Sequence, residues 1–450
     1  MSQEVTQTFT LSTPQIDAES NALICRFEHP EFGAFVERVI FPKTAPLHQI
    51  NPGVREALLG LAAVVMGSSY FKARPCAMIQ SDAALTSQAL HLAKLTYGPG
   101  LGEFYVRNAL AYPPEFSVVA DIADGVAIRD VSTSHAPRAV CAFGGGKDSH
   151  VARSVLQAAG ADVELVSVFL SKDVAARMQT MSTDAITFIQ RVIDPRLIEL
   201  SRSGDALNGH IPITAINSVL LTLYAEASRQ DWVVFANERA ASEPTLEVEG
   251  HPVNHQFSKS LEFEEALGAA FAAAGARARY FSILRPVSEL WTAHELATRS
   301  QALDIFASCN RNFVFAGPKV LEPGQRWCGT CPKCVYTSVL LAPFLDAERH
   351  AQVFQSRPLH DGDNMAHLRD IAGLTDAKPW ECVGERREVA AALHHLQGSK
   401  EWSSVPLVAA IASELYAHWS HDELDKAWAQ ALDARSTHRM PDAVAEVMGA

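Results

Sequence analysis

The sequence predicts an α/β protein with a parallel sheet, preceded by an α+β region and followed by a helical region. From residue 138 onward, nearly continuous apolar segments alternate with helical patterns, as is typical of parallel strands covered on both faces. After about residue 345 only helical patterns follow. The 450 residues, 48% of them hydrophobic and 20% charged, suffice for two or three domains. We predict an N-terminal α+β domain (1–135), a parallel-sheet domain (136–345) and a helical C-terminal region (346–450).

The N-terminal region begins with strand patterns and continues with helices. Residues 22–42, ALICRFEHPEFGAFVERVIFP, alternate apolar and polar side chains around turn residues, which predicts strands. Apolar residues at helical spacing follow at 54–66 and 81–96. The stretch 124–138 is typical of a linker, and we place the domain boundary there.

The middle region repeats a strand and a helix. The apolar segments RAVCAF, VELVSVFL and DWVVFAN predict strands, and helical periodicity separates them. The predicted strands are 138–143, 163–170 and 231–237, the predicted helices are 149–159 and 213–229, and 280–297 predicts a strand, a proline turn and a helix. Because ligands of such sheets bind beyond the carboxyl ends of the strands, the loops that follow these strands are the expected place for a site.

The C-terminal region predicts helices at 388–398, 405–419 and 422–432. His394 and His395 lie on the first of them. Neither has a partner at i+4, so we do not expect a metal site there.

The charge balance disfavours nucleic acid as a partner. Lys and Arg number 38 and Asp and Glu 51, a net charge of −13, and no basic run occurs. An acidic surface repels a polyanion.

The N-terminus lacks the basic start and apolar run of a secretory signal, and the apolar stretch 57–67 is shorter than the ~18 residues of a membrane span. We expect a cytoplasmic protein that binds neither nucleic acid nor membrane.

A glycine-rich loop at 140–156, VCAFGGGKDSHVARSVL, joins a predicted strand to a predicted helix. Backbone N–H groups in such a loop lie at the positive end of the helix dipole, where phosphate oxygens bind. The common G-x-x-x-x-G-K-[ST] loop does not match, because Asp148 follows Lys147 and no glycine lies five residues before Gly146. The G-x-G-x-x-G fingerprint also fails, because no glycine lies three residues after Gly145 or Gly146.

This loop resembles the S-G-G-x-D-S loop of the PP-loop ATP pyrophosphatases, which cleave ATP between its α and β phosphates. Residues 145–149 match that pattern in order, and Gly144 replaces its first serine. The replacement loses one hydroxyl and keeps the backbone N–H groups. An ordinary turn is the alternative, but three consecutive glycines cost conformational entropy that a plain turn does not require. The resemblance implies a PP-loop domain that uses ATP and Mg²⁺.

Four of the eight cysteines, Cys309, Cys328, Cys331 and Cys334, cluster in the sequence. Eight in 450 residues are too few for a disulfide framework. Two C-x-x-C steps that share Cys331 aim their sulfurs at one point, and Cys309 supplies a fourth sulfur. We prefer a closed structural Zn²⁺ site, with an iron–sulfur cluster or free thiols as alternatives. A PP-loop enzyme of deazaguanine synthesis carries a similar cysteine cluster as a zinc site.

Two histidine-containing segments have both a structural and a functional interpretation. NGHIPITAINS places His210 at the start of a helix, where a histidine is either a hydrogen-bonding group or a catalytic one. VNHQFSKS at 253–260 is either a solvated loop or a site for an anion, formed by Asn254, His255, Ser258 and Lys259.

A cysteine-containing loop, KPWECVGERRE, places Cys382 between Glu381 and Glu385. The proline and glycine of this loop are not typical of a core segment. Its thiol is either a nucleophile or proton carrier, or an incidental half-buried cysteine.

Six segments together resemble the MurL-type epimerases of UDP-N-acetylmuramoyl-L-alanyl-L-glutamate, over about residues 140–390. The segments are FGGGKDS, GHIPITAINS, FANERAAS, HQFSKS, RWCGTCPKCVYTSVLLAPF and KPWECVGE. The resemblance implies inversion of the α-carbon of the terminal glutamate in a peptidoglycan precursor, with ATP converted to AMP and pyrophosphate. Removing the α-hydrogen as a proton places a negative charge beside that of the carboxylate, so the α-hydrogen is only very weakly acidic. Forming an acyl adenylate with ATP removes the carboxylate charge and makes the α-hydrogen more acidic.

The resemblance also implies roles for individual residues. The phosphate-binding residues are Gly144, Gly145, Gly146, Lys147, Asp148 and Ser149, with Asp148 also assisting catalysis through Mg²⁺. Asn237, Glu238 and Arg239, beyond the next strand, bind the nucleotide or the reacting carboxyl group. Cys382 is the first candidate for proton transfer, and His210 is the second.

Two other classes of function compete with this one. A PP-loop enzyme that modifies tRNA by thiolation, or another adenylating enzyme, also uses such a loop and cysteines, but the acidic charge is unfavourable for RNA binding. An ATP-sensing module is the non-enzymatic alternative. Incubation with ATP and the precursor separates the sensor from the enzyme, because a sensor forms no AMP.

Overall fold

The computed structural model describes residues 7–127, 136–299, 301–314, 319–375, 379–381, 383–433 and 436–450. Within them the strands are β1 Thr8–Leu11, β2 Gln15–Asp17, β3 Ala22–His29, β4 Gly33–Ile40, β5 Met78–Ser81, β6 Ser117–Val119, β7 Arg138–Ala142, β8 Asp162–Phe169, β9 Ile186–Val192, β10 Trp232–Phe235, β11 Leu246–Val248, β12 His251–Val253 and β13 Arg279–Ser282. The helices are α1 Pro52–Phe71, α2 Ser87–Tyr97, α3 Gly102–Arg107, α4 Lys147–Ala158, α5 Lys172–Gln179, α6 Pro195–Ser203, α7 Ile213–Ser228, α8 Leu261–Ala273, α9 Glu289–Arg299, α10 Pro332–Leu341, α11 Ala347–Phe354, α12 Met365–Ile371, α13 Arg386–Gln397, α14 Pro406–His418, α15 His421–Ala431 and α16 Asp442–Met448. This confirms the predicted α/β class.

One mixed sheet of eleven strands runs through the first two predicted domains, in the order β13-β10-β7-β8-β9-β4-β3-β1-β5-β6, with β2 beside β3. Strands β13 to β9 are all parallel, as predicted for the middle region. The antiparallel pairing of β9 with β4 joins this half to the N-terminal half, with Val39 opposite Arg191. Residue 135, where we predict the boundary, lies outside the described residues.

Side chains on both faces of the parallel strands are buried. In β7, Val140 belongs to the core that contains the apolar residues of α1, α7 and α8. Its neighbours Ala139 and Cys141 belong to the opposite core, with residues of α4, α9 and α10. Successive side chains of a strand point to opposite faces, so a strand without polar alternation requires helices on both sides.

Several helices begin at a residue whose side chain caps them. Thr86, Ser260 and Ser420 accept hydrogen bonds from the backbone N–H groups of the first turns of α2, α8 and α15. Helix α4 differs, because it begins after Gly146 and has no side-chain cap at that residue. The N–H groups of its first turn therefore depend on neighbouring segments or on a ligand.

The observed elements differ from the predicted ones mainly at their ends. The helix predicted at 54–66 extends over Pro52–Phe71, and the one predicted at 81–96 begins only at Ser87, because Thr86 caps it. Helix α4 begins at Lys147, two residues before its predicted start. Lys147 and Asp148 therefore belong to the first turn of this helix.

Helix α1 is long and apolar enough, by length and composition, to cross a membrane. However, 83% of its most apolar window is buried within the protein. Burial of this kind is what a core helix of a globular protein shows.

Gly67 lets α1 approach its neighbours closely, because a Cβ there would lie 2.4 Å from Leu11 Cδ2 and 2.5 Å from the Tyr97 hydroxyl.

The described residues after 345 form six helices and no strand, which confirms the predicted helical region. Helices α13 and α15 pack against each other, and residues of α13, α14 and α15 join the core beside α9 and α10. The C-terminal region thus covers one face of the parallel half of the sheet.

We predict that Gly67→Ala lowers the free energy of unfolding by about 1–3 kcal/mol, because overpacking a filled core displaces Leu11 or Tyr97. The matched control is Gly268→Ala in α8, where the nearest atom to a new Cβ is an Arg439 side-chain nitrogen at 4.0 Å. That substitution should be neutral or stabilising by up to about 1 kcal/mol, because alanine favours helix. Equal unfolding midpoints in denaturant for the two variants would contradict the close approach at Gly67.

Candidate functional site

The glycine loop lies at the carboxyl end of β7 and leads directly into α4. Gly145 has φ +74, and a Cβ there would lie 2.4 Å from Met181 Sδ, so both its conformation and its surroundings require glycine. Gly144 is exposed, and a Cβ there would meet nothing within 4 Å. The loop therefore has space for the serine of the PP-loop pattern at this position.

Residues that precede the cysteine cluster hold the loop in place. The Ala307 N–H donates to the Gly145 carbonyl at 3.0 Å, and the Lys147 N–H donates to Ser308 Oγ at 3.4 Å. Cys309 follows directly in the sequence. Two hydrogen bonds thus join the glycine loop to the segment that leads into the cysteine cluster.

Lys147 is fully buried, and its ammonium contacts the carboxylates of Asp148 and Glu289. Burial alone would lower the pKa of Lys147, but the charges of Asp148 and Glu289 outweigh it and raise that pKa. Burial raises the pKa of Glu289 to about 7, although Lys147 opposes the shift. Oε1 of Glu289 has no hydrogen-bond partner among the described residues. Lys147 therefore stays charged and is held at the start of α9.

Asp148 lies among cationic side chains. Burial acts to raise the pKa of this carboxyl, but the charges of Lys147, Lys333 and Lys259 lower it overall. Lys333 lies between two of the clustered cysteines in the sequence and is itself buried. The loop is therefore lined by both lysines and carboxylates, and a phosphate group there has three ammonium groups as possible partners.

Asn237, Glu238 and Arg239 follow β10, which is parallel and adjacent to β7. The loop after β10 and the glycine loop after β7 are therefore at the same edge of the sheet. Asn237 donates to Ser282 Oγ at 2.9 Å, and Arg239 donates to Glu385 Oε1 at 2.9 Å. Glu238 is buried, and its charge contributes to the raised pKa of both Lys147 and Glu289. Glu238 therefore acts on the buried ion cluster of Lys147 and Glu289.

His210 and His255 lie next to each other, with ring centroids 4.7 Å apart. Both face the carboxylate of Glu103: Nδ1 of His255 is hydrogen-bonded to Oε2, and Nδ1 of His210 lies 3.5 Å from the same oxygen. The charge of Lys259 affects the pKa values of both His210 and Asp148. The two histidines are therefore brought together by one oxygen of Glu103.

The four clustered cysteines converge, with all four sulfurs within 4.8 Å of one another. Cys309 Sγ lies 4.0 Å from Cys331 Sγ, and Cys328 Sγ lies 3.7 Å from Cys334 Sγ. A tetrahedral zinc ion about 2.3 Å from each sulfur separates the sulfurs by about 3.8 Å. The spacing suits a single ion, whereas an iron–sulfur cluster holds several irons and sulfides between its cysteines and spreads them further. The four side chains can therefore hold Zn²⁺.

Cys382 lies outside the described residues. Its described neighbours contact the site: Glu381 accepts a hydrogen bond from Asn310, and the Trp380 ring lies 6.5 Å from that of His255. Gly384 lies so close to Tyr336 and Glu289 that a Cβ would meet the Tyr336 hydroxyl at 2.3 Å.

Sequence reasoning missed Glu103 and Glu289 as site residues. Glu289 lies in the segment 280–297, which predicts a strand, a proline turn and a helix. The start of that predicted helix follows a strand of the parallel sheet, where a site is expected, and this pattern could have indicated Glu289. Glu103 gave no signal, because it lies on a short helix of the N-terminal region far from every motif. Only the tertiary structure brings it to His210.

Two family models match the chain, one described as the MurL N-terminal domain at residues 1–283 and one as the MurL C-terminal domain at residues 305–426. A protein of Xanthomonas oryzae pv. oryzae named UDP-N-acetyl-alpha-D-muramoyl-L-alanyl-L-glutamate epimerase is 34% identical over 445 residues, 98% of this chain and 96% of the relative. A protein of the same name from a Micromonospora species is 36% identical over 84% of this chain and 83% of its own length. Another from Salinispora tropica is 36% identical over 82% of this chain and 80% of its own length. The resemblance seen in the sequence motifs is thus confirmed over nearly the whole chain, which belongs to the MurL family.

Proposed function

We propose that this protein epimerises the terminal L-glutamate of UDP-N-acetylmuramoyl-L-alanyl-L-glutamate to D-glutamate, in peptidoglycan precursor synthesis. ATP first converts the carboxylate to an acyl adenylate, and AMP and pyrophosphate are released. The names of the relatives support the substrate. The activation step is supported above all by one observation: the glycine loop lies at the carboxyl end of β7 and leads directly into α4, which has no side-chain cap at Gly146.

The glycine loop is suited to the activation step. Its backbone N–H groups and the dipole of the 12-residue helix α4 attract phosphate oxygens, and Gly144 leaves the mouth of the loop open. Lys147, Lys259 and Lys333 supply positive charge close to Asp148. Asp148 is the residue we assign to Mg²⁺, which neutralises phosphate charge when it is bound. Asn237, Glu238 and Arg239 are at the same edge of the sheet and are suited to position the nucleotide or the carboxyl group.

Activation makes the inversion possible. A carboxylate oxygen attacks the α phosphorus of ATP, the bond from that phosphorus to the bridging oxygen breaks, and pyrophosphate leaves. The acyl adenylate carries no carboxylate charge, so the carbonyl oxygen can accept the electron pair when the α-hydrogen is removed as a proton. A proton then returns to the opposite face, and water hydrolyses the adenylate to the inverted carboxylate and AMP. His210 and Cys382 are the candidates for proton transfer on the two faces of the α-carbon.

We further propose that Cys309, Cys328, Cys331 and Cys334 hold a structural Zn²⁺ ion. The site has four protein ligands and no open position, which is typical of structural zinc. Cys309 follows Ser308, which accepts the hydrogen bond from the Lys147 N–H. The metal would therefore stabilise the segment that holds the glycine loop.

A single reaction tests the proposed function. The protein is incubated with ATP, Mg²⁺ and the L-Ala-L-Glu precursor, and the glutamate released by hydrolysis is analysed on a chiral column. We expect D-glutamate and a matching amount of AMP and pyrophosphate. ADP in place of AMP, or AMP without D-glutamate, would contradict the proposal. No AMP at all would indicate a sensor, and the same amount of AMP without precursor would indicate another adenylating enzyme.

We predict that Lys147→Gln lowers the rate of AMP formation by at least about 100-fold, because it removes a fixed charge from the phosphate site. This variant leaves the buried carboxylate of Glu289 and the half-buried one of Asp148 without their cation and can lose stability. The double variant Lys147→Gln with Glu289→Gln relieves that charge, so it should fold and still form no AMP. Lys94→Gln, on the exposed face of α2, is the matched control. AMP formation at the wild-type rate in either Lys147 variant would contradict the role of Lys147.

We predict about one zinc ion per chain, measured by elemental analysis, and its loss in Cys331→Ser. Loss of the metal should lower the unfolding temperature and reduce AMP formation, because the Ala307–Ser308 segment is no longer held. Cys76→Ser, which changes a buried cysteine outside the cluster, should retain the zinc. Iron with acid-labile sulfide in the purified protein would overturn the assignment in favour of an iron–sulfur cluster.

A further inference from the structure

Three polar side chains from separate parts of the chain meet at one point of the structure. Glu103 lies on α3, His210 lies three residues before α7, and His255 lies in the segment between β12 and α8. One ligand atom from each lies within 4.8 Å of the others. We call these three residues the histidine–glutamate cluster.

Glu103 is the centre of this cluster. Its side chain is 3% exposed, and Oε1 accepts from Arg107 at 3.0 Å. Oε2 faces Nδ1 of both histidines. Because Nδ1 of His210 faces the carboxylate, its Nε2 is directed away from Glu103. One carboxylate thus sets the orientation of two imidazole rings.

The charges around the cluster distinguish between a metal site and a proton-transfer site. Two histidines and a carboxylate are also a common metal-binding set. However, the ammonium groups of Lys72 and Lys259 act on His210, and the guanidinium of Arg107 pairs with Glu103. One cation paired with the carboxylate and two acting on His210 oppose a divalent metal ion. They favour an anionic molecule such as the proposed substrate.

The protonation state of His210 suits a base. Burial and then the neighbouring His255 lower the pKa of His210 to about 4, with smaller contributions of the same sign from Lys259 and Lys72 and an opposing one from Glu103. The imidazole is therefore neutral at pH 7. Its side chain is 23% exposed, so part of the ring is open to a ligand.

We propose that His210 removes the α-hydrogen on one face of the activated glutamate, or returns it there, and that Glu103 and His255 hold its ring in position. This deepens the proposed function and rests on it. His210 is the catalytic residue of this face, whereas Glu103 and His255 are positioning residues. When His210 acts as the base, the C–H bond breaks, Nε2 takes the proton and the electron pair moves to the carbonyl oxygen of the acyl group. The imidazolium that forms is stabilised by the Glu103 carboxylate.

The experiment measures D-glutamate formed per AMP in ²H₂O, with the L-Ala-L-Glu precursor, ATP and Mg²⁺. His210→Gln should still form AMP, because the activation step does not use this residue. D-glutamate per AMP should fall at least about 100-fold, the usual scale of general acid–base catalysis. Deuterium should then be absent from the recovered glutamate or confined to L-glutamate, since inversion requires both faces.

The control is His91→Gln, an exposed histidine on α2, which should keep the wild-type ratio. A wild-type ratio in His210→Gln would overturn the proposal, and so would a parallel loss of AMP, which would place His210 in the activation step. If the wild-type protein itself forms no AMP with the precursor, the proposed function fails instead. The two failures are therefore distinguishable.

A positioning role for Glu103 gives a separate readout. Glu103→Gln removes the charge that raises the pKa of His210, so that pKa falls further. In a plot of D-glutamate per AMP against pH, the low-pH limb should move to lower pH. The ratio at neutral pH should fall, because an imidazole of lower pKa is a weaker base. An unmoved limb would show that Glu103 only supports the fold. A second equivalent of metal, lost in His255→Ala, would make the cluster a metal site and overturn the proposal.

Discussion

The buried ammonium of Lys147 is the constraint on which the candidate site depends. Removing an ammonium from water costs several kcal/mol, and only opposite charges in close contact compensate for that cost. Asp148 supplies one such charge from the same helix, and Glu289 supplies another from the first turn of α9. A carboxylate at the start of a helix is itself favourable, since it faces the positive end of the dipole. The contact therefore holds α4, α9 and the glycine loop as one unit.

The same contact extends into the helical region. Glu388 of α13 accepts a hydrogen bond from the Leu290 N–H at 3.0 Å, next to Glu289, and lies 3.8 Å from Arg239. On the other side, the sheet joins the site to the N-terminal half through β4 and β9, where buried Arg191 donates to buried Glu37 at 2.7 Å. Glu103 reaches His210 from that half. All three predicted regions therefore contribute side chains to the candidate site residues, although the glycine loop belongs to only one of them.

The sequence predicted the parts of the fold and site that local pattern determines. Apolar runs and helical periodicity located the strands and helices of the middle region, and the glycines, the C-x-x-C steps and the helix-start histidine marked three parts of the site. Strand β9 and helix α8 were missed, because neither is bounded by a recognised motif. The pairing of β9 with β4 is a contact between residues about 150 positions apart, and no local signal specifies it. Glu103 was missed for the same reason.

In the proposed mechanism, the arrangement of charges serves both the activation step and the proton transfer. A base that removes an α-hydrogen must be neutral, and cations close to an imidazole keep it neutral by disfavouring a second positive charge. The same cations attract the phosphates and carboxylates of the proposed substrates. Lys259 illustrates this, because its charge lowers the pKa of both Asp148 and His210. Lys259 thus favours the charged form of the Asp148 carboxylate and the uncharged form of the His210 imidazole. The two proposed steps require these opposite protonation states, and the one lysine common to both groups, Lys259, favours both.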